Sequence, residues 1–139
     1  MFDIRYAALN DKNFWFTLDR HIDERIFERK VAFNECYVIE HNKKGIGVIR
    51  YNLFWDQYPF LNLIYIDRDY QRRGAGEKAM LLWEDEMRKL GHKLVMTSAM
   101  VEEEAQHFYR KLGYKDCGCL IKDIPPLTET MEMFLMKSI

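Results

Sequence analysis

Gly74 and Gly76 follow an apolar run, Phe60 to Ile66, and a short charged loop, and they open a long amphipathic stretch. Strand, glycine-containing turn and helix N-terminus in succession make a seat for a phosphorylated ligand. With no side chain at 74 or 76, the first-turn N–H groups, which have no partner inside a helix, can point at a pyrophosphate. The helix dipole adds partial positive charge at the same place. Arg72 and Arg73 stand beside it, and guanidinium forks suit a doubly charged group, although the pair also reads as a solvated basic turn. Farther along, Glu102, Ala105 and Tyr109 share one face of a helix expected over Glu102 to Leu112, while His107 points to the other side.

The elements that must carry these residues can be read from periodicity. Phe2, Ile4 and Tyr6 alternate with polar neighbours, giving a short first strand. Two helices are expected, roughly Asp11 to Leu18 and Asp23 to Phe33, with Asp19, Asp23, Glu24 and Glu28 as their solvated face. Cys36 to Glu40 and Ile46 to Phe54 read as strands joined by a hairpin at Asn42-Lys43-Lys44-Gly45, and Asp56 to Pro59 turns the chain again. Phe60 to Ile66 has the continuous apolarity of a strand buried on both faces. The helix after the glycines places Ala75, Ala79, Leu82, Trp83, Met87 and Leu90 on one stripe and stops at Gly91. Lys93 to Ala99 is a second buried strand, so the strand-helix-strand unit runs parallel through a right-handed crossover. Tyr114 to Ile121 and Thr130 to Met136 read as strands separated by a rigid Pro125-Pro126 connection.

Composition excludes several classes. In 139 residues, 21 Lys plus Arg nearly cancel 22 Asp plus Glu, so there is no basic field for nucleic acid and any anion must be bound locally. The length suits a single domain over 1–139. Charges at Asp3 and Arg5 and the absence of a long apolar run leave neither a signal peptide nor a membrane span to expect, which points to the cytoplasm and to no membrane partner. Cys36, Cys117 and Cys119 are odd in number and hold no CxxC pair, so they read as reduced, packing thiols. The four histidines have no ligand spacing, and no metal is expected.

The segment Gln71-x-x-Gly74-x-Gly76, a second strand, and then Glu102-x-x-Ala105-x-x-Phe108-Tyr109-x-Lys111-Leu112-Gly113-Tyr114 together resemble the GNAT superfamily of acyl-CoA-dependent N-acyltransferases. The likeness covers the whole order of elements, and residues 61 to 114 carry the motifs. It implies an α/β (α+β) fold, a mixed and mostly antiparallel sheet with a splayed parallel strand pair and flanking helices, and acetyl-CoA as cosubstrate without a metal. The backbone of Ile64, Tyr65 and Ile66 would pair with pantetheine, and the amides of Gln71, Arg72, Arg73, Gly74, Ala75 and Gly76 would hold the diphosphate. The amine would attack the thioester directly. A backbone N–H near Ile66 would meet the oxyanion, and Tyr109 would protonate the departing thiolate, since a phenol of pKa ~10 holds its proton until the thiolate needs it.

The base is less defined. Relatives carry an acid on the first splayed strand, where this chain has Asn62; Asp56, Glu35, Glu102 or a water relay remain. Glu102, where the family more often has Asn, would contact pantetheine or a water, or simply complement a helix start. Trp55, Tyr58 and Phe60 would line the acceptor pocket or pack the hairpin. The expected partner is a small-molecule or peptide amine, with room for a homodimer. Gly74 to Ala79 also fits a loose dinucleotide fingerprint with Glu102 as the ribose acid, but the loop Asp67 to Arg73 and the hairpin-rich half before it do not. A domain that binds or senses acyl-CoA without transferring it is the stronger alternative: Asn62 favours it, Tyr109 disfavours it.

Overall fold

The computed structural model describes residues 1–139. Strands β1 (Phe2–Tyr6), β2 (Cys36–His41), β3 (Lys44–Phe54), β4 (Tyr58–Ile66), β5 (Leu94–Met100), β6 (Lys115–Leu120), β7 (Asp123–Ile124), β8 (Leu127–Thr128) and β9 (Glu132–Ser138) alternate with helices α1 (Lys12–Leu18), α2 (Glu24–Ala32), α3 (Ala75–Lys89) and α4 (Ala105–Lys111). The main sheet has the order β1-β2-β3-β4-β5-β9-β6, with β7 and β8 as a separate hairpin. Every neighbouring pair is antiparallel except β4 and β5.

The sheet is covered unequally. On one face, Ala75, Ala79, Met80, Trp83 and Met87 of α3 pack against Tyr37, Ile39, Leu61 and Val95, with α4 contributing Tyr109. Leu90, expected on this stripe, is 53% exposed because α3 has already ended, and Met80 fills the core instead. On the reverse face, Trp15 of α1 and Phe27 of α2 bury Cys36, Val38 and Val48, with Leu63 at the margin. Full burial of side chains such as Trp15, Trp83 and Met80 stabilises by about 2 kcal/mol each.

Asp19 departs from the expected solvated face. It is wholly buried and accepts from Trp15 Nε1 at 3.1 Å, Arg50 Nε at 2.7 Å and the His21 amide at 3.1 Å, tying α1 to β3. Glu84 of α3 is its counterpart on the other face, held by the Tyr114 hydroxyl at 2.9 Å and Lys137 Nζ at 2.7 Å. Cys36 packs as expected, and burial pushes its thiol up to about 12. Cys117 and Cys119 instead lie exposed on edge strand β6.

Two irregularities of β4 position the site. Its parallel pairing with β5 is confined to Phe60 with Met96 and Leu61 with Thr97, fastened by the Thr97 hydroxyl donating to the Leu61 carbonyl at 3.2 Å. Beyond that point β5 stays paired with β9 as far as Met100 opposite Glu132, while β4 runs on to Ile66 alone on that side. Against β3, Arg50 pairs with Leu63 and Tyr51 with Leu61, so Asn62 is a bulge. The strand is therefore not buried on both faces as its apolarity suggests: Asn62 and Tyr65 are exposed. The strand over Thr130 to Met136 begins later, at Glu132, and inserts between β5 and β6, while the Pro125-Pro126 connection folds as the β7–β8 hairpin. No helix is long and apolar enough to cross a membrane.

Candidate active site

The gap between the diverging strands is a cavity of about 400 Å³, lined by Ile64, Tyr65 and Ile66 of β4, Gln71 and Gly76 of the following turn and helix, and Ala105, Phe108 and Tyr109 of α4. Its β4 wall offers free backbone groups. The Asp67 amide reaches the Ile46 carbonyl at 2.7 Å, so by antiparallel alternation Tyr65 exchanges hydrogen bonds with Val48. The intervening residues, Ile64 and Ile66, turn their N–H groups away from β3 and into the gap.

At the mouth of the cavity the chain turns through Arg72 (φ 63°) and Gly74 (φ 77°) into α3. Gly74 in the left-handed region lets the helix start without a side-chain cap, and a Cβ there would meet only open space. No amide from Arg72 to Glu77 has a hydrogen-bond partner in the protein: the first helical donor is Lys78, which bonds the Gly74 carbonyl at 3.1 Å. This run of unpaired N–H groups converges at the positive end of a 15-residue helix. Gln71 differs from the expectation of a phosphate-facing amide. Its N–H is spent on the Arg68 carbonyl at 3.3 Å, and its side chain donates to the Ile66 carbonyl at 2.8 Å, stapling the turn to the end of β4. Arg72 and Arg73 make no ion pair. Arg73 lies over the Tyr70 ring at 5.6 Å, and Lys44, from the β2–β3 hairpin and not singled out in the sequence, lies over the same ring at 5.8 Å.

At the inner end stands Tyr109, 7% exposed, its ring edge-on to Phe108 and Tyr114. Burial pushes its phenol above the usual tyrosine range, and the Thr97 hydroxyl beside it pulls weakly the other way. The proton is thus firmly held, next to the last paired residues of β4 and β5. The Phe108 ring would touch a Cβ at Gly76 at 3.6 Å, so α4 roofs the same channel whose floor is β4. Phe108 stood in the sequence only as a motif residue beside Tyr109, and Thr97 only as part of a buried strand.

The acids proposed from the sequence are not gathered here. Glu102 is not on α4, which starts at Ala105; it sits exposed in the turn after β5 and accepts from the Thr130 hydroxyl at 2.7 Å. The three-and-four spacing to Ala105 and Tyr109 therefore has no helix to act through. Asp56 occupies the exposed tip of the β3–β4 hairpin at φ 58°, on the order of 20 Å along the strand from Ile64. Glu35 pairs with Lys30 at 3.3 Å. Trp55 is 75% exposed at the hairpin tip, and Phe60 stacks on Phe54 at 6.1 Å and meets Phe134 edge-on at 5.8 Å, outside the cavity. The cavity's lining includes no carboxylate, and no cluster of His, Cys, Asp or Glu could hold a metal.

The comparisons with known proteins agree with this geometry. Ard1 from Thermoplasma volcanium superposes with a TM-score of 0.83 at 14% identity, covering 99% of this chain and 97% of that one. The ribosomal-protein-alanine N-acetyltransferase from Brucella melitensis gives 0.80 at 15% identity over 99% of both chains. A GNAT family acetyltransferase from Elizabethkingia anophelis, with acetyl-CoA bound, gives 0.76 at 13% identity over 99% and 98%. At such identities these structures speak to the fold alone. No curated protein sequence matches. The acetyltransferase (GNAT) family profile matches residues 4–114, which include both divergent strands, the glycine turn and Tyr109. On that match and this fold, the chain belongs to the acetyltransferase (GNAT) family.

Proposed function

We propose that the protein transfers an acetyl group from acetyl-CoA to a primary amine by direct attack. The observation that carries this reading is the unpartnered amide run from Arg72 to Glu77 opening onto the gap beside β4. The diphosphate sits on those amides with Arg72 and Arg73 at its flank, and Gly76 lets it approach the backbone. Pantetheine runs inward along Ile64, Tyr65 and Ile66. The Ile66 carbonyl is already taken by Gln71, so the Ile64 and Ile66 N–H groups and the Ile64 carbonyl are the partners left to it.

The thioester comes to rest beside Tyr109. Ile66 is the expected oxyanion donor, but Ile64 is two residues nearer the Leu61–Thr97 junction that Tyr109 adjoins, and its amide is the better placed of the two. One such donor is worth about 3 kcal/mol of transition-state stabilisation. The amine's nitrogen bonds the carbonyl carbon, the carbon–sulfur bond breaks, and the thiolate takes the Tyr109 proton. With no carboxylate along the cavity, the attacking amine gives its own proton to water, and water returns one to the Tyr109 phenolate, so that the products are the amide and free thiol. The reading takes 1–139 as one cytoplasmic catalytic domain acting on a small-molecule or peptide amine, without nucleic-acid or membrane partners.

A binding or sensing domain is the second reading, favoured by Asn62 and by the carboxylate-free cavity. Calorimetric titration with acetyl-CoA and with NAD, followed by thiol release across an amine panel, separates the readings. Acetyl-CoA binding with amine-dependent thiol release is expected. Binding without release leaves the sensor, and no acetyl-CoA binding removes both.

A further inference from the structure

A second groove, about 750 Å³, lies on the reverse side of β4 from the cavity just described. Strand alternation sets the two apart: Ile64 and Ile66 line the cavity, while Leu63 floors the groove. Tyr65, 40% exposed, borders both, so groove and cavity adjoin at the edge of the strand.

The groove is unevenly charged. Arg20 and Arg68 flank it and neither makes an ion pair, in a chain whose net charge is −1. The other ionisable groups along it are His21, the Tyr65 phenol and a single carboxylate, Asp67, which already accepts from the Asp69 amide at 3.1 Å. Both arginines stand on braced backbone. Buried Asp19 accepts from the His21 amide and so fixes the turn that carries Arg20, and Arg68 opens a 3-10 turn closed by the Gln71 amide and capped by Asp67. Two unpaired guanidiniums on one groove, each carried by a braced turn, match a planar anion.

We infer that this groove seats a carboxylate carried by the amine acceptor, with Arg20 and Arg68 as its counter-ions. The inference rests on the proposed transfer reaction and deepens it by naming the acceptor class. Arg68 lies four residues past Ile64, about 13 Å along extended chain, and an arginine side chain spans about half of that. With its side chain reaching back along β4, the Arg68 guanidinium comes to about 7 Å from Ile64, so the seat suits an acceptor whose carboxylate lies within about 10 Å of its amine. A small amino acid or a peptide with an acidic residue at its N-terminus meets that requirement.

The test compares matched acceptors: 4-aminobutyrate against 4-aminobutanamide, and the peptide Asp-Ala-Ala-amide against Asn-Ala-Ala-amide. In the wild type each acid should exceed its neutral partner in kcat/KM by on the order of tenfold, the yield of a charge-assisted contact. In an Arg20→Gln/Arg68→Gln double variant that ratio should fall to about one, with the change in KM. The pair showing the larger ratio tells the amino acid from the peptide. Equal rates for acid and neutral partner in the wild type, or a ratio that survives the double variant, overturn the assignment.

Binding of N-acetyl-4-aminobutyrate and of acetyl-Asp-Ala-Ala-amide, each beside its neutral partner and followed by NMR with and without coenzyme A, keeps the question decidable where turnover is absent. Acid-selective shifts lost in the double variant support the seat, and their absence removes it. Calorimetric affinity for acetyl-CoA is read separately, so a failure of the transferase reading is not mistaken for a failure of the groove.

Discussion

Asp19 and the loop from Arg72 to Glu77 treat polar groups in opposite ways. Asp19 is shut off from water, and donors from an indole, a guanidinium and a backbone amide satisfy it. The loop lies at the surface with a row of amides that nothing in the protein satisfies. A fold able to complete the hydrogen bonding of a buried carboxylate has left a run of donors unpaired where the two central strands part. Stability resides in the saturated group and binding in the unsaturated ones, so substitutions in the two regions should move different observables.

The largest effect expected is at Asp19. Asp19→Ala leaves the Arg50 guanidinium, 11% exposed, without its partner, and should cost about 3–5 kcal/mol in urea unfolding. The affinity of the folded fraction for acetyl-CoA should be unchanged; an unaltered unfolding midpoint would show that the pair does not hold α1 to β3. Tyr109→Phe should lower kcat on the order of 10²-fold, about 3 kcal/mol, while calorimetric affinity for acetyl-CoA stays near wild type. Because burial holds the phenol above its usual range, the wild-type kcat should show no fall from loss of this acid below about pH 10. A descending limb near pH 8, or full activity in the phenylalanine variant, takes Tyr109 out of the chemistry. Gly76→Glu inverts the charge at the phosphate seat and should weaken acetyl-CoA binding on the order of 30-fold, about 2 kcal/mol, without changing the unfolding midpoint. Wild-type affinity in that variant would detach the loop from the ligand.

How far the sequence could be read follows from which contacts are local. The glycine turn, α3 and the apolar β4 are set by neighbours a few residues apart, and each is found close to where periodicity puts it. Tyr109 likewise reaches the cavity because α4 ends, as read, beside Gly113. Asp19 reads as surface because Arg50, the one charge that compensates its burial, is 31 residues away, even though Trp15 and the His21 amide are local donors. Glu102 was misread because helical spacing to Tyr109 holds only if the helix has begun, and the turn through Glu104 delays it to Ala105. The reverse-face groove has no local signature for a related reason: Arg20 and Arg68 line it together only because the end of α1 faces Leu63 and Tyr65 of β4 across it.

Asn62 gives β4 one residue more than β3 can match, and it falls immediately after Leu61, the last residue that β4 shares with β5. A surplus residue bends and overtwists its strand. The divergence of the two strands then follows from one unmatched residue placed where their pairing stops. Shortening the strand by that residue would keep Leu61, Leu63 and Ile64 on their present faces, since the bulge already absorbs it, while allowing β4 to lie straight along β5. Such a protein should fold yet admit no acetyl-CoA, and a titration showing undiminished uptake would mean that the opening has another origin.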